Sequence, residues 1–172
     1  MQSRERYKIP IFDLRYKHME FALAEVLKIQ PEQLPAFRAR LRHLRNIGMF
    51  FEKPGKGSHA SYTGDNALEL LLTLQLNIMG YSPAAAAAYT AHVMKELPDN
   101  FLSDNYKGNI FAIIFTEGGN LNVDFEIKGD IYYGNEQLKI GIQFAPPAFS
   151  IIKITDMGKA LANMLAIAVR EA

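Results

Sequence analysis

Cysteine is absent from the chain. That excludes disulfides, thiolate metal sites and a cysteine nucleophile, and it fits a reducing compartment. No stretch of roughly 18 uncharged apolar residues occurs that would span a bilayer. The opening MQSRERYKIPIFDLRYK carries charges but no apolar core of the kind a secretory signal needs. These absences predict a cytoplasmic protein with no membrane partner. Catalytic signatures are missing too. There is no Gly-x-Ser-x-Gly, no phosphate loop and no dinucleotide fingerprint, and Gly118-Gly119 reads as a turn. The histidines His18, His43, His59 and His92 lack zinc-ligand spacing. Asp124 and Glu126 fall on the wet face of an alternating stretch, where solvated carboxylates are expected rather than an acid/base pair. The expectation is a non-enzyme with no metal and no cofactor.

What the chain does have is an uneven charge distribution. Its net charge of +1 over 172 residues conceals 12 Lys/Arg against 6 Asp/Glu in residues 1–64, and 7 against 12 in residues 65–172. A basic third and an acidic remainder point to different partners, a polyanion for the first. The hydrophobic share of 49% is enough for a core.

Periodicity predicts a helix over Met19–Lys28, broken before Pro31 because proline drives its predecessor out of helical space. A second helix is expected from near Pro31 to about Asn46, with Gly48 placed to end it. Leu34, Phe37, Leu41 and Leu44 share its buried face, and Arg38, Arg42 and Arg45 form a flanking stripe. Arg40 lies on the other flank, and His43 and Asn46 point away from the core. Two short helices joined by a tight turn, the second bearing arginines, read as a helix-turn-helix. Met49 to Thr63, with Pro54, Gly55 and Gly57, reads as a hairpin carrying Lys53, Lys56 and His59 near its tip and Tyr62 after it. A third helix over Asn66–Met79 ends at Gly80, with Thr63 or Asp65 as cap. A fourth starts at Ser82-Pro83. The third is apolar around most of its circumference, and together with the last helix it predicts a dimer surface.

From about Phe101 the period shortens. Ile110–Phe115, the alternation Leu121/Val123/Phe125/Ile127 and the alternation Leu138/Ile140/Ile142/Phe144 predict an antiparallel meander with one buried face. Thr155-Asp156 is expected to cap a last helix to about Glu171. The fold class predicted is α+β: a helical winged helix-turn-helix over 1–98, then a β-meander with a terminal helix over 99–172 for assembly or effector binding.

The stretch from Leu41 to about Val93 resembles the MerR-type winged helix-turn-helix family. The resemblance is carried by Leu41-Arg42-His43-Leu44, Ile47-Gly48-Met49, Pro54-Gly55-Lys56-Gly57, Tyr62-Thr63, Met79-Gly80-Tyr81 and Ser82-Pro83. It implies binding of double-stranded DNA as a homodimer, with Arg42 on DNA and Tyr62 as a wing contact or a packing residue. The chain departs from the family in a longer segment before Leu41, in having His59 and Ser61 where a wing arginine is common, and in a β-rich segment where a long coiled coil would follow. Promoter twisting and metal sensing are therefore not implied. The expected function is a sequence-specific DNA-binding transcription regulator, using Arg38, Arg42, His43, Arg45, Lys53, Lys56, His59 and Tyr62. The alternative is a protein-interaction adaptor acting through the acidic half, and a small ligand against the sheet is a further use open to that half.

Overall fold

The computed structural model describes residues 8–9, 11, 13–46, 61–99, 101–102, 108–117, 126–145 and 150–170. Among the described residues, six helices and a three-stranded antiparallel sheet make a mixed α+β fold. In chain order these are α1 (Tyr16–Val26), a single 3-10 turn (Pro31–Gln33), α2 (Leu34–Asn46), α3 (Gly64–Ile78), α4 (Pro83–Glu96), β1 (Ile110–Glu117), β2 (Glu126–Tyr133), α5 (Gly134–Phe144), β3 (Ser150–Lys153) and α6 (Ile154–Arg170). No described helix is long and apolar enough to cross a membrane.

α3 is the central helix. Ala67, Leu68, Leu70, Leu71, Leu72, Leu74 and Leu76 are all buried, and α1, α4 and α6 pack around it. Most of its wide apolar surface is thus covered within the chain. Of the apolar residues on the two helices expected to form a dimer surface, Ile78 on α3 and Ile167 and Val169 on α6 stay exposed. Local signals set its ends. Thr63 caps the start, its Oγ1 accepting from the Asn66 N–H at 3.2 Å while Asn66 Oδ1 accepts from the Thr63 N–H at 3.0 Å, a reciprocal capping box. Gly80, at φ +96°, ends the helix in a Schellman turn, with the Tyr81 N–H bonded to Leu76 O at 3.1 Å and the Gly80 N–H to Asn77 O at 3.1 Å. Ser82 then caps α4, accepting from the Ala85 N–H, with Pro83 at the first helical position.

Asp65 has another task. It accepts the backbone N–H groups of Ile9, at 2.7 Å, and Lys8, at 3.2 Å. Leu14 and Tyr62 form an antiparallel bridge through two bonds of 3.0 Å. The chain before α1 is thereby clasped to the start of α3. Gly64 permits the close approach, since a Cβ there would stand 2.3 Å from Ile9 Cγ2 and 2.7 Å from Ile9 O.

The sheet order is β2-β1-β3. β1 pairs with β2 from Ile110↔Tyr133 to Glu117↔Glu126 and with β3 from Phe111↔Lys153 to Ile114↔Ser150. Ile110, Ala112 and Ile114 enter the main core with Ile152, and Phe111 and Ile113, on the opposite face, are buried as well. That core is continuous from Ile9 to Leu165 and draws on every helix except α5.

Two expectations about this half are corrected. Residues 138–144, expected as a strand, belong to α5. The apolar alternation misleads because its members do not share a face: Ile140 is 56% and Ile142 39% exposed. The inward face is built at helical spacing around Gly141, and a Cβ there would meet the Tyr132 ring at 2.4 Å. The third strand is instead β3, which returns beside β1, so the sheet is not a sequential meander. Nor is Thr155 a cap for α6, which begins at Ile154. Its hydroxyl accepts the Ile110 N–H at 2.7 Å and ties the start of β1 to the helix. The expected strand over 121–127 meets the described residues only in β2, at 126–133.

Candidate nucleic-acid interface

α1 and α2 are joined by seven residues whose conformations follow from local chemistry. Lys28 adopts φ +54°, and the Ile29 N–H bonds to Ala24 O at 2.9 Å, which closes α1 in a Schellman turn with lysine where glycine is usual. Gln30 stays extended ahead of Pro31. Its N–H donates to Gln33 Oε1 at 3.1 Å, and the Gln33 N–H returns to Gln30 O at 2.9 Å. The 3-10 turn then passes directly into α2.

Phe37, Leu41 and Leu44 are buried and anchor α2, with Leu34 half-buried beside them. Burying one such side chain is worth about 1.5–3 kcal/mol over leaving it in water. With that face fixed, everything else on the helix is presented outward: Pro35, Ala36, Arg38, Ala39, Arg40, Arg42, His43, Arg45 and Asn46 are all exposed.

The arginines are not equivalent. Arg38 donates from Nε to Glu20 Oε1 on α1 at 2.7 Å, with the Glu20 side chain mostly covered and that of Arg38 54% exposed. Tyr16, one turn before Glu20, titrates above its ordinary value. Burial is the main cause and the Glu20 charge the next, opposed by Arg45 and Arg42. Arg38 and Arg45 therefore lie along the α1 side of α2, with Arg42 next to them and farther out, while Arg40 stands on the other flank. Among the described residues no carboxylate pairs with Arg40, Arg42 or Arg45. Glu20 and Tyr16 were not singled out by sequence, since nothing in local spacing links Glu20 to an arginine 18 positions away.

The expected hairpin and its Lys53, Lys56 and His59 lie outside the described residues. Tyr62 is described, and it is 4% exposed. Of its two expected roles, its burial and its pairing with Leu14 fit packing. His43 is exposed, next to Arg42. Among the described residues no group of three His, Asp or Glu side chains is placed to hold a metal ion.

α1 carries one buried histidine at its start. His18 Nδ1 accepts the Arg15 N–H at 3.1 Å, as an N3 side chain does in a capping box. An accepting Nδ1 requires the neutral ring, with the proton on Nε2. Burial, then Lys17 and Arg15, hold its pKa below the ordinary value.

Comparison with models of known protein families, and with curated proteins, finds no match.

Proposed function

We propose that this chain is a sequence-specific, DNA-binding transcription regulator that acts as a dimer, with α1 and α2 as its helix-turn-helix. The observation that carries this reading is the outward face of α2, where Arg40, Arg42, His43 and Arg45 stand exposed on a helix whose other face is anchored by Phe37, Leu41 and Leu44. Guanidinium groups bind phosphate oxygens, and they bind guanine edges bidentately. The surrounding third of the chain carries the positive excess that such binding needs. Lys53, Lys56 and His59 add phosphate contacts from the wing that the MerR-type resemblance implies. Residues 99–172 serve assembly or effector binding.

The test is duplex binding across a salt series. Neutralised phosphates release counterions, so affinity falls steeply with salt. The Arg42→Ala, Lys56→Ala double variant is expected to stay folded and to lose affinity. Equal binding by variant and parent at every salt concentration would remove both residues from the interface.

A protein-interaction adaptor is the second reading. The expectation places that contact on the acidic half; an open groove of about 590 Å³ lies instead in the basic third, between α1 and the start of α2, where Phe21 is 40% exposed. A co-purifying protein, with no duplex binding at low salt, would favour it.

A further inference from the structure

The burial pattern of α2 sorts its exposed residues around the helix. At about 100° per residue, the line opposite the buried Phe37, Leu41 and Leu44 is Pro35, Ala39, Arg42 and Asn46, spaced by four, three and four. Arg38 and Arg45 flank it on the α1 side; on the other side Ala36 and His43 come first and Arg40 stands beyond them, nearer the buried face. The outermost line is small in its first half and ends in two residues that hydrogen-bond in a plane. The flanks are cationic.

Resting on the DNA-binding reading above, we propose that this division is a division of labour. Arg42 and Asn46 read base edges from the last turns of α2, Ala39 is the close-approach point, and Arg40 and Arg45 grip the phosphates on either side of the groove.

A helix entering the major groove puts its outermost line nearest the bases and its flanks nearest the two backbones. Arginine pairs bidentately with the O6 and N7 of guanine, and asparagine with the N6 and N7 of adenine. Arg42 and Asn46 are four residues apart, about 6 Å along the axis. For a helix lying along the groove, that spans about two base steps at roughly 3.4 Å each. The site read is thus a guanine and an adenine about two steps apart. Ala39 has no reach of its own. Its methyl group lets the backbone sink toward the base pairs, which a longer side chain at the same place would prevent. The entry to the helix is ill suited to this task. Glu32 is exposed there and Arg38 is tied to Glu20, so the phosphate-binding charge is concentrated from Arg40 onward.

The experiment is selection of randomised duplexes by the full chain, followed by affinity measurements on the selected site and on an unrelated duplex. Four proteins are compared: the parent, Asn46→Ala, Arg45→Ala and Ala39→Leu. All three substitutions are at exposed positions, and circular dichroism checks that each variant is folded. Asn46→Ala is expected to lose preference at one base position by about 5- to 150-fold and to keep its affinity for the unrelated duplex. Arg45→Ala is expected to weaken both duplexes equally and to make the salt dependence shallower by about one charge. Ala39→Leu is expected to bind the selected site no better than the unrelated one. If Asn46→Ala selects the parent's sequence, or Ala39→Leu binds the selected site undiminished, the assignment of this line is overturned while DNA binding stands. If Arg45→Ala relaxes a single base position, the division between lines is overturned. If the parent binds no duplex at low salt, the DNA-binding reading falls and this inference falls with it.

Discussion

Glu20 on α1 accepts the Nε–H of Arg38 on α2 at 2.7 Å, so the first arginine of the exposed face already holds a carboxylate. That pair joins the two helices at their open edge and withholds one cation from any outside partner. Glu20→Gln releases it. The expected outcome is a modest stability loss, about 1 kcal/mol for a pair whose arginine is half exposed. If Arg38 then reaches a phosphate, the salt dependence of duplex binding steepens by about one charge. Urea denaturation measures the first effect and a salt titration the second. An unchanged slope would mean that Arg38 never faces the backbone.

Lys28 closes α1 from the left-handed region, at φ +54°. That conformation costs a residue with a Cβ about 1–2 kcal/mol, against a glycine entropy penalty of about 0.5–1 kcal/mol. Lys28→Gly is therefore expected to stabilise the fold by about 0.5–1 kcal/mol, read as a higher urea midpoint at unchanged slope. A lower midpoint would show that the lysine stem supplies more by packing than its backbone loses.

Gly64→Ala goes the other way. The new methyl would meet Ile9 side chain and backbone well inside contact distance. Overpacking of this kind costs about 1–3 kcal/mol, and here it also presses on the bonds from Ile9 and Lys8 to Asp65. Hydrogen exchange at the Ile9 and Leu14 amides, whose bonds close the clasp, is expected to accelerate along with the loss in stability.

His18 gives the fold a pH dependence of defined sign. Its folded-state pKa lies below the ordinary 6.5, so below about that pH the unfolded chain binds more protons than the folded one. The stability tied to the neutral ring is present in full above pH 6.5 and declines as pH falls from there toward the depressed folded value. Protonation also puts a hydrogen on the nitrogen that accepts from Arg15, so the α1 cap is lost in the same step. His18→Gln retains an acceptor at N3 and is expected to flatten the stability profile between pH 7 and pH 5. A profile as steep in the variant as in the parent would assign the dependence to other groups.

Tyr89 is buried against β2, its hydroxyl near Gly129 and without a hydrogen-bond partner among the described residues. Burial and the nearby Asp130 carboxylate raise its pKa. An unpartnered buried hydroxyl costs about 1–3 kcal/mol of desolvation. Tyr89→Phe is accordingly expected to leave the melting temperature unchanged or to raise it. A clear fall would reveal a bridging water that pairs the hydroxyl.

The helical half was legible because its punctuation is local. Pro31, Thr63, Gly80 and Ser82-Pro83 each act within a few residues, through proline sterics, side-chain caps or a left-handed glycine. The burial of Phe37, Leu41 and Leu44 followed from spacing alone. α5 was hidden for the opposite reason: its packed face turns on Gly141, which carries no apolar signal, while the conspicuous isoleucines 140 and 142 face out. The partners of Thr155 and Arg38 were hidden by distance, since each lies far off in the chain. Pairing of that kind depends on how the helices and strands pack, and no local pattern encodes it.

The clasp of residues 8–14 onto residues 61–65 means that the segment bearing the arginines departs from and returns to one place. The Asp13 and Ser61 side chains, 48 positions apart, touch at 3.0 Å. Closing a loop of about fifty residues costs roughly 3.5 kcal/mol plus a constant, and doubling its length would add only about 0.6 kcal/mol. The cost is met at the clasp and hardly depends on what the loop contains. α1, the turn and α2 therefore leave and rejoin the fold at one place, while α1 and the buried face of α2 stay part of the common core. The outward residues of α2 are free to change while Phe37, Leu41 and Leu44 keep the helix in place.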